Sequence, residues 1–308
     1  MPKVSVIIVS WNVCDLLRDC LESIYTNAGG LSLDILVVDS DSHDGTLAML
    51  EQSFPQVTVL AQAENVGFTK GNNIGLRIAQ GDYLILLNPD TKIIGDALNT
   101  LITYMDAHSK VGIVGPHTLN EDGTTQSTRR RFPTLLTGIF ESTWLQAIAP
   151  KTILRRYYMS DTSDSAALDV DWVQGSAMLV RRAVYEQIGG LDEGYVMYSE
   201  ELDWCKRAKL AGWSVAYIGS ASIIHYGGKS SEQVIASSHI WFQRSKLRYF
   251  RKYHGWFAAQ FLRLVLLLNY VVQLIIEAFK RLLGRKPDLR EERIKTYWQV
   301  LRSGLKVS

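Results

Sequence analysis

Apolar positions in this chain gather first into short unbroken runs: Val4-Ser5-Val6-Ile7-Ile8-Val9, Ile35-Leu36-Val37-Val38 and Tyr83-Leu84-Ile85-Leu86-Leu87. Runs of this length, rich in branched residues and bounded by turn formers, predict buried strands. Between them the spacing changes. Val13, Leu16, Leu17, Cys20, Leu21 and Ile24 recur at the 3.6-residue period that makes one apolar face of a helix, and Asn12, in the turn Ser10-Trp11-Asn12, is placed as its N-cap. A second helix is expected after the acidic turn 39–46, and a third from the glycine- and amide-rich segment 65–75 to about Gln80. Strands alternating with helices predict an α/β fold, which binds its ligands beyond the carboxyl ends of its strands.

Those strand ends carry the candidate chemistry. The run 83–87 stops on Asn88-Pro89-Asp90, which puts an amide and a carboxylate where a divalent cation and a diphosphate could meet; the same tripeptide is also an ordinary turn. The run 35–38 stops on Asp39-Ser40-Asp41-Ser42-His43-Asp44-Gly45-Thr46. Asp44 reads as a cap or turn former, because a short carboxylate bonds nearby backbone. Asp39 directly follows four apolar residues and so projects from the strand tip, an acceptor for the imide N–H of a uracil or thymine ring. In Asn65-Val66-Gly67-Phe68-Thr69-Lys70-Gly71-Asn72-Asn73-Ile74-Gly75 the glycines permit close backbone approach, and amides and a lysine stand at a helix mouth. The segment reads equally as a loop and cap.

Together, Val6–Asn12, Val38–Thr46, Asn65–Asn73 and Leu86–Asp90 resemble the nucleotide-sugar half of the family 2 inverting glycosyltransferases. Further on, Asp171-Trp172-Val173-Gln174-Gly175-Ser176-Ala177-Met178 resembles the strand that floors the family's acceptor site. Tyr198-Ser199-Glu200-Glu201-Leu202-Asp203-Trp204 is similar to its acidic motif at a helix start, and Ile224-His225-Tyr226-Gly227-Gly228-Lys229-Ser230 to its terminal histidine loop. The resemblance spans residues 3 to 254. It implies a single Rossmann-like domain of the glycosyltransferase A type and a base, Glu201, for the acceptor hydroxyl. Donor contacts would come from Ser10, Asn12, Asp39 and Asp41, from Asn65, Gly67, Phe68, Lys70 and Asn73, and from Asn88. The acceptor would meet Trp172, Gln174, Gly175, Glu200 and Trp204. Asp90 and His225 would hold Mn²⁺ or Mg²⁺, the mixed oxygen and nitrogen set suiting Mn²⁺ better.

The branch most resembled is that of bacterial rhamnosyltransferases, which use dTDP-L-rhamnose to build surface polysaccharide. Neighbouring branches with other donors, UDP-sugars among them, share its motifs. Two residues depart from the family pattern: Asn88 replaces an aspartate in the metal motif, and Glu201 an aspartate in the acidic pair. A glutamate reaches one methylene further, which small backbone adjustment can absorb.

Net charge is +2, but it is unevenly divided. Residues 1–228 hold 17 Lys and Arg against 26 Asp and Glu, a balance of −9, and residues 229–308 hold 16 against 5, a balance of +11. Within the basic part, Trp256–Leu283 is mostly large apolar residues interrupted by Gln260, Arg263, Asn269, Gln273 and Glu277. The last three and Arg281 follow at i, i+4, a narrow polar stripe beside a broad greasy face. Such a helix suits the membrane interface, where a lipid-linked acceptor would be met; a spanning helix or a core or dimerisation helix are the rival readings.

The expected organisation is a glycosyltransferase domain, 1–254, with a donor half, 1–115, and an acceptor half, 116–254, followed by a basic helical tail, 255–308. Three cysteines without a CxxC pair read as reduced thiols. A first strand beginning almost at Met1 leaves no signal peptide, and the expectation is a cytoplasmic enzyme on the inner face of the plasma membrane, with a nucleotide-sugar donor and a glycan or polyprenyl-linked acceptor as partners. Arg129-Arg130-Arg131 reads as a solvated loop in preference to a contact for an acceptor phosphate, and 132–168 as a mobile lid over the acceptor. A dinucleotide-dependent dehydrogenase is excluded, because no Gly-x-Gly-x-x-Gly follows the first strand. Nucleic acid has no recognition module here. A non-catalytic nucleotide-sugar-binding protein is the alternative to an enzyme.

Overall fold

In the computed structural model of the chain, residues 3–227 and 235–306 are described. Gly228, Lys229 and Ser230 of the histidine loop lie outside them. The chain forms two compact units, one made of residues 1–132, 158–196 and 200–230, the other of 133–157, 197–199 and 231–308. These are not the contiguous pieces 1–254 and 255–308.

The first unit is built on a sheet of ten strands: β1 (Lys3–Ser10), β2 (Ser32–Asp39), β3 (Thr58–Val59), β4 (Tyr83–Leu87), β5 (Thr91–Ile94), β6 (Val111–Leu119), β7 (Thr125–Gln126), β9 (Ala167–Val170), β11 (Ala177–Arg181) and β12 (Ser214–His225). Two short strands, β8 (Arg129–Arg130) and β10 (Trp172–Val173), pair apart from it. The order is β3-β2-β1-β4-β11-β6-β12-β5, with β7 on β6 and β9 on β12. Strands β3, β2, β1 and β4 are mutually parallel. Beyond β4 the sheet is mixed: β11 enters antiparallel, β6 and β12 run parallel to each other, and β5 is antiparallel to β12.

Helices α1 (Cys14–Thr26), α2 (Thr46–Ser53), α3 (Phe68–Ile78) and α4 (Ala97–Ala107) follow the early strands. The unbroken apolar run of β1 is explained by helices on both faces. Val4, Val6 and Ile8 share a core with Leu17, Cys20, Leu21 and Ile24 of α1, whereas Ile7 and Val9 meet α3. There Gly71 and Gly75 face the sheet: an added Cβ at Gly75 would lie 2.5 Å from Ile7 Cγ2, and one at Gly71 2.8 Å from Val9 Cγ1. The glycines admit the sheet rather than a ligand.

The second unit contains α5 (Leu135–Phe140), a 3₁₀ turn at Trp144–Ile148, most of α6 (Lys151–Tyr158) and the helices α9 (Ile235–His254), α10 (Trp256–Leu282) and α11 (Pro287–Ser303). Tyr249, Phe250, Leu262, Leu266, Tyr270 and Val300 are buried in it. Gly138 of α5 sits where a Cβ would meet the Phe250 ring at 2.8 Å. Segment 132–168 is therefore largely regular structure, its middle belonging to the helical unit. The remaining helices, α7 (Arg182–Ile188) and α8 (Glu200–Leu210), belong to the first unit.

Candidate active site

The register aligns the ends of β1 and β2, Ser10 beside Asp39, and sets Leu87 of β4 beside Ala177 of β11. One edge of the sheet therefore carries Ser10, Asp39, Ser40, Asn88 and Ser176. All five bear a buried polar side-chain atom with no hydrogen-bond partner: the three serine hydroxyls, Asp39 Oδ2 and Asn88 Oδ1. Buried polar atoms are rarely left unpaired, so five along a ligand-binding edge mark a site built for polar occupants. Asp39 is fully buried and its other oxygen, Oδ1, accepts from Ser42 N at 3.0 Å. Ser40 and Ser176 were not singled out from sequence, since serines in turns carry no distinguishing signal.

Asn12 is not the N-cap of α1. Val13 holds that position, and Asn12 lies before it at φ +51° with its Oδ1 accepting from His43 N at 2.8 Å and its own N donating to Ser42 Oγ at 3.0 Å. Asn12 thus clamps the β1 turn to the β2 turn. Asp44 is the structural group expected, accepting from Cys14 N (2.7 Å) and from Thr46 N and Oγ1; these bonds hold its carboxyl below the usual range against the opposing cost of burial. Asp41 sits in the same turn at φ +64°, its carboxylate 3.6 Å from His43.

The glycine and amide segment divides in two. Asn65 Oδ1 accepts from Gly67 N at 2.9 Å, and Gly67, at φ +74°, turns the chain into α3. Phe68 is half-buried and lies, with Glu201, around Gly175: a Cβ added there would be 3.5 Å from Glu201 Cβ and 3.9 Å from Phe68 Cζ. Donor-segment, acceptor-segment and candidate base thus converge. Lys70 is exposed on the first turn of α3. Asn73 is a correction: its Oδ1 accepts from Leu191 N and its Nδ2 donates to Leu191 O and Glu193 Oε1, each at 2.9 Å. Its amide is committed to holding the loop that leads to α8.

Asp90 and His225 meet as expected, because β12 pairs with β5 and aligns His225 with Thr91. His225 Nε2 lies 3.2 Å from Asp90 Oδ1 and 3.2 Å from Asn88 Nδ2, and Nδ1 lies 2.7 Å from Gln126 Oε1. A buried carboxylate, an imidazole and the unpaired Asn88 Oδ1 fit a hard or borderline divalent cation such as Mn²⁺. Among the described residues no cluster of three or more His, Cys, Asp or Glu could enclose an ion. Further ligands would have to come from a diphosphate and water.

Glu200 and Glu201 open α8 after two left-handed residues, Tyr198 (φ +69°) and Ser199 (φ +64°). Glu200 is buried with Oε2 unpartnered, and desolvation, then the neighbouring Glu201 charge, push its pKa well above the ordinary value. Burial therefore favours its neutral form over the carboxylate. Glu201 is partly exposed beside Gly175, and of the two it is the carboxylate able to accept a proton. Gln174 keeps a half-exposed side chain while its N bonds Thr128 O.

The aromatic residues assigned to the acceptor are corrections. Trp204 is fully buried with Nε1 donating to Gly189 O at 2.9 Å, and Trp172 is buried with Nε1 donating to Arg131 O and Arg130 over its ring. Arg129 is likewise no solvated residue. It is buried, paired with Asp164 at 2.6 Å and stacked over Tyr217.

Residues 5–189 match Glycosyl transferase family 2. An N-acetylglucosaminyl-diphospho-decaprenol L-rhamnosyltransferase of Mycobacterium tuberculosis is 28% identical over 241 residues, 74% of this chain and 78% of the relative. The rhamnosyltransferase WbbL of Escherichia coli is 30% identical over 256 residues, 80% of this chain and 92% of that one. A mannosyltransferase of Pyrobaculum calidifontis, solved with GDP-Man and Mn²⁺, superposes with a TM-score of 0.56 at 18% identity, covering 99% of this chain and 85% of its own, and shows the glycosyltransferase A fold. A sheet whose ligand edge is lined by unpaired polar groups and a family match over more than half the chain agree, and the chain belongs to glycosyl transferase family 2.

Proposed function

We propose that this glycosyltransferase is metal-dependent and inverting, and that it moves L-rhamnose from dTDP-L-rhamnose to a glycan on a polyprenyl lipid at the inner face of the cytoplasmic membrane. The carrying observation is the buried edge of unpaired groups, which includes the carboxylate oxygen Asp39 Oδ2. A thymine imide N–H donates to that oxygen and removes its desolvation cost. Uracil offers the same imide, which makes a UDP-sugar the second reading. The preference for rhamnose comes from the two rhamnosyltransferase relatives.

In the reaction, Glu201 takes the proton of the acceptor hydroxyl as its oxygen attacks the anomeric carbon from the face opposite the diphosphate. The new C–O bond forms as the sugar–phosphate bond breaks, the electron pair leaves with the nucleoside diphosphate, and the anomeric configuration inverts. Asp90 and His225, with Asn88 Oδ1 beside them, would hold the cation, which when bound supplies neutralising charge for the departing diphosphate.

Thermal shifts with dTDP-, UDP- and GDP-sugars test the donor, since bound ligand raises stability with its affinity and concentration. The expected ranking puts dTDP-L-rhamnose first, and Asp39→Asn should abolish most of its shift. A larger shift with a UDP-sugar would replace the donor named here. Donor binding with neither transfer nor hydrolysis under Mn²⁺ would instead mark a binding protein.

A further inference from the structure

The hairpin joining β6 to β7 ends on Gln126, whose amide reaches the imidazole of His225 from the side away from Asp90. Hydrogen-bond direction along this hairpin follows from its far end. Asp122, exposed and ionised, only accepts, and its carboxyl is held below the usual range by the Thr124 hydroxyl and backbone N–H. Thr124 Oγ1 must therefore donate to it, at 2.6 Å, leaving a lone pair for Asn120 Nδ2 at 2.9 Å. That turns Asn120 Oδ1 towards Gln126 Nε2, which donates to it at 3.0 Å. Gln126 can then present only Oε1 to His225 Nδ1.

We infer that Gln126, oriented by Asp122, Thr124 and Asn120, is a positioning residue that keeps the His225 proton on Nδ1 and aims the Nε2 lone pair at the cation site beside Asp90. The position of the hairpin is set by the sheet. Thr118 of β6 aligns with Gln126 of β7 on one side and with Ile223 of β12 on the other, which carries His225 two residues on. With Nδ1 protonated and no metal bound, Nε2 accepts from Asn88 Nδ2, a bond that its one lone pair would exchange for the cation, and this orientation leaves Asn88 Oδ1 unpaired. It also sets the Nε2 lone pair 3.2 Å from a carboxylate oxygen of Asp90, two electron-rich atoms that a shared cation reconciles. Partners that fix a ligating imidazole in this way are worth roughly 10- to 100-fold in metal affinity.

The inference rests on the metal reading above, and two measurements separate them. In the metal-free protein, ¹⁵N NMR of the histidine side chains at mildly alkaline pH should show His225 protonated at Nδ1. Gln126→Met should abolish that preference and Gln126→Glu, which keeps an acceptor, should restore it. Calorimetric titration with Mn²⁺ should show affinity roughly 10- to 100-fold weaker in Gln126→Met, with unchanged melting temperature and recovery in Gln126→Glu. A His225 protonated at Nε2 in the wild-type protein, or a Gln126→Met variant binding Mn²⁺ as tightly as wild type while His225→Ala loses it, overturns the inference. If Asp90→Ala and His225→Ala also bind Mn²⁺ normally, the metal reading is what fails, and the tautomer measurement still decides the role of Gln126.

Discussion

Glu200 and Glu201 are neighbours in sequence with different environments, and the difference supports Glu201 as the proposed base. Burial favours the neutral form of Glu200, so Glu200→Gln, a neutral amide of the same shape, should cost little turnover. Glu201→Gln removes the proposed proton acceptor and should lower kcat by on the order of 10² or more with donor affinity nearly intact. Steady-state kinetics on the two variants checks this, and the reverse pattern moves the base to Glu200. A stability consequence follows too. Burial and the Glu201 charge raise the folded-state pKa of Glu200 above 4.5, so between that value and the folded pKa the native state binds more protons than the unfolded chain, and stability falls as pH rises. Glu200→Gln lacks this loss and should melt progressively higher than wild type as pH climbs above about 4.5, a trend that melting curves in a buffer series would read. Asp39 was legible from sequence because an acid straight after a buried strand has few places to go. Asn73 and Trp204 were not, because the groups that commit them, Leu191 and Gly189, come from segments whose approach no local pattern announces.

The early elements were legible because their periods are long enough to count. Strands β1, β2 and β4 and helix α1 lie where apolar runs and 3.6-residue spacing put them, and α10 begins at Trp256 as its pattern requires. The antiparallel entry of β11 and the two-residue strands β7, β8 and β10 were not legible, since two residues carry no period and strand direction depends on partners remote in sequence. The glycines of 65–75 read as permitting close backbone approach, and at Gly71 and Gly75 what approaches is β1, their Cα atoms facing Val9 and Ile7. Gly75→Val should therefore push α3 off β1 and destabilise the protein by ~1–3 kcal/mol, the usual cost of overpacking, because side-chain carbons would fall within 2.5 Å of Ile7 Cγ2. Denaturant melts would show it as a lower midpoint at unchanged slope. No loss would mean that the helix can lift without penalty.

At the scale of the whole molecule, the helical unit presents a helix that is apolar on its outer face as well as its inner one. Two polar residues of α10 turn inward: Asn269 and Glu277 are buried, Asn269 accepting from Trp144 N and Glu277 pairing with Arg290 at 2.7 Å. Leu262, Leu266 and Tyr270 face the core with them, and a second, broader set of large apolar residues turns outward. Phe257, Phe261, Leu264, Leu268, Val271, Ile275, Phe279 and Leu282 are all exposed, Phe257 and Leu282 by more than four-fifths. It is also, among the described residues, the one helix long and apolar enough to cross a membrane. A stripe of this size on water is costly and calls for an apolar partner, and Arg251, Lys252, Lys280, Arg281, Arg285 and Lys286 flank it with positive charge. Anionic lipid meets both demands, with the apolar face contributing most of the binding and each basic residue near the surface roughly 1 kcal/mol. Because α5 and α9 share a core with α10, deleting residues 256–308 would unfold the unit as well as detach it. Substitution of exposed positions is the cleaner test: Phe257, Leu264 and Leu268 changed together to Gln remove apolar area without touching the core. In liposome flotation the wild-type protein should float with anionic vesicles, less so as salt rises, and the triple variant should stay at the bottom with its melting temperature and nucleotide binding unchanged. Equal flotation of both proteins would show that the α10 face does not dock, and flotation of neither would mean that the stripe is covered by protein instead of lipid.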